Sequence, residues 1–491
     1  MSNINIPTAS PESMGVSSKV ILRLIRKLEE LQLPMHSLLI LRYGKLISEN
    51  YWKPFHRGRN HRLYSASKSL VSLAIGLMSD EGRLSLDDPV AGFFPEYLPP
   101  EPHEYLMRAT IRDMLMMADC HDEPTYTFAD MNWVKTWFDT PPTHPAGAVF
   151  SYNTACSNVC CAIVEKLAGM PFIEYLYPRL LQPIGASEGI FCIRSPEGYS
   201  FGGSGVLMTP LDLARIALLC MNKGRWEGQQ LINERYILDA TAKQIDNTLT
   251  SDGIDEAQGY GYQFWRTRNG GFALNGMGSQ YAVCLPEADL IVVTTGDTQD
   301  YVHAGHIIFE LIWNELLPSL NNGALPEDAA AVKALEDCSC KLELPPVPGM
   351  ASSPLAGQVS GRIYRFPENP LNIKTLCFEF FDGEVDMIFE KPEGTYKLRF
   401  GLGRLIKQAF PETHYSGKQI GVPAGYGYET WASAAWATEK TLLAKAFITD
   451  DYLGSFNMNA TFKDGEVTLL MTKVAENFLH DYQGFAASVP G

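Results

Sequence analysis

Apolar residues recur along this chain with two different periods, and the change of period marks its elements. Val20, Ile21, Leu24, Ile25 and Leu28 fall at helical spacing behind a serine cap and predict an amphipathic helix over 17–31. "HSLLILRYGKLISENYW" reads as two strands joined near Tyr43-Gly44, an antiparallel hairpin. From Ser65 to about residue 255 the pattern is mostly helical, as in "TIRDMLMMA", "NVCCAIVEKLAG" and "TPLDLARIALLCMNKG". Strand text returns in "GYGYQFW", "GFALNG", "QYAVCLP" and "DLIVVTTGD", and a last helix is expected at about 301–316.

This distribution predicts an α/β (α+β) body over 1–320 whose sheet is built from both ends of the segment, with a helical insert at about 66–255. A functional site is then expected between sheet and insert. Residues 321–354 are rich in proline and read as a linker. Beyond it, over 355–491, the text is strand-like to the end, punctuated by Asp382-Gly383 and Asp464-Gly465, and predicts a small all-β domain. Its Trp431, Trp436, Phe378 and Phe400 are expected in a β core rather than on a binding face.

Composition narrows the function. A chain of 491 residues with 16 more acidic than basic side chains is repelled by nucleic acid and by anionic membranes, leaving small molecules or short peptides as expected partners. No run approaches 18 apolar residues, so no membrane span is expected. Ten cysteines lie scattered, often inside apolar runs, and read as buried free thiols. "MSNINIPTASPESMGVSS" has neither a basic start nor an apolar core, so the expected location is cytoplasmic unless a leader has been trimmed. Oligomeric state leaves no mark here.

The chemistry concentrates at "YSASKSL", residues 64–70, which runs into the apolar "LVSLAIGLM". A serine hydroxyl needs a base within hydrogen-bond reach to act as a nucleophile. Ser65 and Lys68 stand three apart, on one face of a helix. Burial or a neighbouring cation lowers a lysine until its neutral amine can serve as that base, and a helix N-terminus favours a developing alkoxide. Ser-x-x-Lys occurs once in the chain; its plain alternative is a capping serine beside a solvated lysine.

Several blocks in order, "SKSLVSLAIGLMSDEGRLSLDDPV", "TIRDMLMM", "PAGAVFSYNTACSNVCCAIVEKLAG", "GGSGVLMTPLDLARIALLCMNKGRWEGQQLI" and "NGMGSQYAVCLPEADLIVVTTGD", give residues 10–316 a further meaning. They resemble the serine β-lactamase-like hydrolases, the class C branch with its penicillin-binding, esterase, D-aminopeptidase and amide hydrolase relatives. The resemblance implies a β-lactamase-like antiparallel sheet flanked by helices. It implies Ser65 as acylated nucleophile, Lys68 as its partner, and Tyr152 of "FSYNTA" as the phenol that shuttles the proton. It further implies a third motif at Leu274, Asn275 and Gly276, followed by Met277, with the backbone N–H groups of Ser65 and Met277 as the expected oxyanion hole; a register starting at Met277 and Gly278 is the alternative.

Two departures bear on the substrate. Thr154 stands where the family often has asparagine, and Leu274 where it carries a cation that holds a substrate carboxylate. Both argue against penicillin hydrolysis and for an ester or amide, bound against Thr154, Leu274, Asn275 and Gly276. The rival reading is a catalytically silent peptide or cell-wall sensor that keeps the fold.

Other candidates read as structure. "FGGSGV" around Ser204 lacks the second glycine of a nucleophile elbow, the residue being Val206. His303 and His306 near Asp297 lack a completing ligand pair, so no metal or cofactor is expected. "CHDEP" at 120–124 reads as a polar loop, and Trp133, Trp137 and Trp265 as core residues, any of which could line a pocket.

Overall fold

The computed structural model describes residues 6–251, 253–301, 303–412, 427–476 and 478–490; the first five residues and 413–426 of the expected β domain lie outside them. The chain divides into two compact units, one up to Glu343 and one from Leu344 onward.

A six-stranded antiparallel sheet organises the first unit: β1 (Met35–Arg42), β2 (Lys45–Tyr51), β3 (Trp265–Arg266), β4 (Phe272–Gly276), β5 (Gln280–Leu285) and β6 (Leu290–Gly296), in the order β2-β1-β6-β5-β4-β3. The expected hairpin forms, with Arg42 opposite Lys45 and both Tyr43 and Gly44 in the left-handed region that a two-residue turn requires. Side chains alternate between two cores. Leu39, Leu41, Leu274, Ala282 and Val293 face the helical insert, while Leu38, Ile40, Ala273, Val283 and Val292 face the terminal helices α1 (Ser18–Glu30) and α5 (Ala304–Leu311).

Between β2 and β3 lies the insert, led by α2 (Ser67–Asp80), α3 (Thr154–Ala168) and α4 (Pro210–Met221). All residues of α2 from Ser67 to Met78 are buried, which fits a helix that is apolar nearly all round. Gly76 at its middle is explained by Tyr236: a Cβ there would lie 2.5 Å from the ring, and the Tyr236 hydroxyl meets Ser72 Oγ at 2.9 Å. All ten cysteines are free.

The proline-rich 321–354 contains a helix, α6 (Ala329–Ser339), capped by Asp328 and tied to α1 through a 2.8 Å ion pair between Lys19 and Asp328. The second unit is a curled, half-barrel sheet of ten strands from Ile363–Arg365 to Gly484–Ala487, antiparallel throughout except where Gly401 pairs with Ser433. Trp436, Phe378 and Phe400 are buried in it, and Trp431 is half-buried.

Beneath the start of the insert two buried histidines face each other, His61 Nε2 lying 3.1 Å from His36 Nδ1, with His36 stacked on Phe55. Burial lowers both, His61 to about 3 and His36 well below the ordinary imidazole range. The folded state therefore keeps both neutral while the unfolded chain takes up protons below about pH 6.5, so stability present above that pH is lost as the pH falls. Between pH 7 and 5 the expected loss is about 2 kcal/mol per histidine. Urea midpoints at the two pH values measure it, and His36→Gln should flatten the difference.

Candidate active site

Ser65 sits in a single 3-10 turn, Tyr64–Ala66, that feeds directly into α2. Neither that turn nor α2 has a side-chain capping bond, so the Ser65 hydroxyl is not spent as a cap. The turn is strained, with Tyr64 at φ 46, a conformation costly for a bulky residue. Neighbours hold it in place. Leu63 N–H donates to Val206 O at 2.8 Å, Val206 N–H to Ser67 Oγ at 3.0 Å, and Arg62 Nε–H to Ser204 O at 2.9 Å. The Arg62 guanidinium also lies 4.6 Å over the Tyr64 ring. Ser204 thus anchors the strand that brackets Ser65.

Lys68 is buried one turn along, its Nζ 3.0 Å from Ser65 Oγ, 3.3 Å from Thr154 Oγ1 and 2.7 Å from Gly203 O. Gly203 is a residue sequence reasoning missed. Its N–H donates to Asn158 Oδ1 on α3 at 3.0 Å, and a Cβ there would lie 2.5 Å from Thr154 Cγ2, so only glycine brings that carbonyl to the amine. Thr154 opens α3, and its hydroxyl reaches Lys68 from the position where the family often has asparagine.

Tyr152 arrives from the insert with its ring centroid 5.1 Å from Lys68 Nζ. It packs at 5.2 Å against Trp265 and 6.2 Å against Tyr260, with Phe150 beyond. Burial pushes its phenol up to about 12, while hydrogen bonding to the Ser65 and Trp265 side chains pulls the other way. Ser65, Lys68, Tyr152 and Thr154 are therefore one cluster, and Trp265 borders it. Trp133 and Trp137 are wholly buried.

The loop "CHDEP" turns out to back this cluster. Asp119 and His121 are buried, and Asp119 Oδ2 accepts from Trp137 Nε1 at 2.8 Å, from His121 Nδ1 at 3.2 Å and from Asn153 Nδ2 at 3.4 Å. Asn153 in turn caps α3 through Ala155 N–H at 3.0 Å. A buried carboxylate thus fixes the peptide between Tyr152 and Thr154. Only the adjacent Asp-Cys-His polarity hinted at this.

On the opposite wall runs β4. Gly276 approaches the Ser65 turn so closely that a Cβ would lie 2.1 Å from Leu63 O and 3.1 Å from Ala66 N. Gly278 lies at the hairpin tip instead, at φ 76. Leu274 is wholly buried in the core and offers no side chain to a cleft; Asn275 is half-buried and Met277 exposed. Neither the Ser65 nor the Met277 backbone N–H makes a hydrogen bond within the described residues.

Elsewhere, His303 and His306 do not converge. His306 Nδ1 lies 3.3 Å from Asp255, which Arg268 already pairs at 2.7 Å, and Asp297 accepts from Gln299. Burial pushes the thiols of Cys156, Cys160 and Cys161 up, leaving them poor nucleophiles.

Known proteins share the family and the fold of the first unit. The chain is 24% identical over 284 residues to the 6-aminohexanoate-dimer hydrolase of Paenarthrobacter ureafaciens, covering 53% of this chain and 72% of that protein. It is 25% identical over 169 residues to esterase EstB of Burkholderia gladioli, covering 30% and 42%. A solved structure assigned as a 6-aminohexanoate-dimer hydrolase from Bacillus anthracis superposes with a TM-score of 0.53 at 18% identity, over 63% of this chain and 86% of that one, which establishes a shared fold. The sequence profile of the family described as Beta-lactamase matches residues 21–303, and the chain belongs to that family.

Proposed function

We propose that the chain is a serine hydrolase that cleaves linear esters or amides through an acyl-enzyme on Ser65. The observation that carries the reading is Lys68 Nζ, buried and 3.0 Å from Ser65 Oγ, with the Tyr152 ring against it. The coupled pair of Lys68 and Tyr152 takes the proton as Ser65 Oγ attacks the substrate carbonyl. The unengaged N–H groups of Ser65 and Met277 receive the oxyanion, where one such donor is worth on the order of 3 kcal/mol. Collapse breaks the bond to the leaving group, which takes its proton from Tyr152. Water then attacks the ester on Ser65 by the same path in reverse roles.

Thr154 and the buried Leu274 support a substrate without the carboxylate of a β-lactam, since neither presents a cation to hold one. The curated relatives, an amide hydrolase and an esterase, point the same way. No helix among the described residues is long and apolar enough to cross a membrane. The test compares kcat/KM for p-nitrophenyl acetate, the linear 6-aminohexanoate dimer and nitrocefin. Turnover of the ester or the linear amide, with nitrocefin at least about 100-fold slower, is expected. Nitrocefin as the preferred substrate would overturn the reading of the pocket.

A further inference from the structure

Strands β4 and β5 meet through Met277, Gly278 and Ser279, and Gly276 pairs with Gln280 across the hairpin. Gln280 is wholly buried, and its carboxamide turns back under the loop that it closes. Its Nε2 lies 3.2 Å from Met277 O, 3.0 Å from Gly278 O and 2.6 Å from Gly296 O. Two amide hydrogens thus serve three carbonyls, two in the hairpin and one on the neighbouring β6.

We infer that Gln280 is a positioning residue for the oxyanion hole, holding the hairpin so that the Met277 N–H faces the reacting carbonyl; the inference rests on the reading of Ser65 as nucleophile. Met277 is bracketed by two anchored peptides. Its preceding peptide is fixed by the Gly276–Gln280 pairing and by the contact of Gly276 with Leu63 O. Its following peptide is fixed by Gln280 Nε2 on Met277 O. The rest of the loop needs the same restraint, because Gly278 and Ser279 both lie in the left-handed region, at φ 76 and 71, which is costly for serine. Ser279 is held from the other side, its Oγ 2.6 Å from Thr298 Oγ1 and its carbonyl accepting from Thr294 Oγ1 at 2.9 Å.

A stability role alone does not account for the glutamine. Its Oε1 is buried and without a partner among the described residues, a state that costs about 1–3 kcal/mol and that an apolar side chain of the same volume would avoid. The amide end is saturated while the carbonyl end is unsatisfied, so the side chain is placed for its donors. Those donors act on the carbonyl of Met277, whose own N–H makes no hydrogen bond among the described residues and follows the Gly276 that packs against the Ser65 turn.

Gln280→Met keeps the volume and removes the donors; Gln280→Glu keeps the shape and sets a carboxylate against three carbonyls. For both, kcat and kcat/KM for p-nitrophenyl acetate should fall on the order of 10- to 100-fold per folded chain with KM within about twofold. Affinity for phenylboronic acid, which forms a tetrahedral anion on the serine, should weaken by a similar factor. Gln280→Asn, whose amide falls one methylene short, is read in place of either variant that does not fold. A lowered melting temperature with kcat/KM and boronate affinity unchanged would overturn the inference. Full hydrolysis in Ser65→Ala would overturn the nucleophile itself; a dead Ser65→Ala beside a fully active Gln280→Met would remove the Gln280 inference alone.

Discussion

Replacing Lys68 by methionine should lower the rate of ester hydrolysis by on the order of 10⁴-fold, to the level left by Ser65→Ala. The amine faces three oxygens, Ser65 Oγ, Thr154 Oγ1 and Gly203 O. A carbonyl can only accept, so Gly203 O fixes one N–H, and a neutral amine can turn its second hydrogen on Thr154 and its lone pair on Ser65. Lys68→Arg separates base from charge. A guanidinium is permanently charged and does not give up its proton, so this variant should be as inactive as the methionine one. Steady-state rates with p-nitrophenyl acetate, normalised to the folded fraction by circular dichroism, measure both. An active Lys68→Arg would mean that only the charge matters. Methionine also leaves Gly203 O without its amine donor, so Lys68→Met should lose about 1–3 kcal/mol of stability.

Tyr152→Phe should cost about 10²- to 10⁴-fold in kcat/KM, the range for loss of a positioned general acid. The ring keeps its neighbours Phe150, Tyr260 and Trp265, so packing changes little. Because burial raises the phenol to about 12, it stays protonated through the neutral and mildly alkaline range, and in the proposed mechanism it acts as a donor. The sign follows: no alkaline limb from this group is expected below about pH 11, and Tyr152→Phe should lower the plateau of the pH profile without shifting its limbs. A wild-type profile that rises through about pH 8, with that limb abolished by Tyr152→Phe, would instead mean that the phenolate is the working form.

Much of this arrangement is legible in the chain because it is local. Ser65 and Lys68 share a helical face, so their spacing alone places the hydroxyl by the amine. Tyr152 carries no such mark, since an aromatic in a helix-bound loop is as often core, and only the order of the surrounding blocks distinguishes it. The strand "GFALNG" hides its facing for a physical reason: the sheet is buried on both sides, so Ala273 and Leu274 are equally apolar though they enter opposite cores. Period-2 alternation therefore could not reveal that Leu274 has no side chain in the cleft. The Gly203 carbonyl, the Asp119 carboxylate and the Gln280 amide act across 135, 34 and 16 positions of chain at their longest bonds named above, and no periodicity reports such pairings. In 321–354 the prolines dominate the text, although "AAAVKALEDCS" contains strong helix formers and folds as α6.

The most direct measurement is mass spectrometry of the protein held with a fluorophosphonate and, in parallel, quenched early during turnover of p-nitrophenyl acetate. One adduct per chain, on the peptide that carries Ser65 and absent from Ser65→Ala, is the expected result. A stoichiometric adduct on another residue, or hydrolysis that survives intact in Ser65→Ala, would contradict the account.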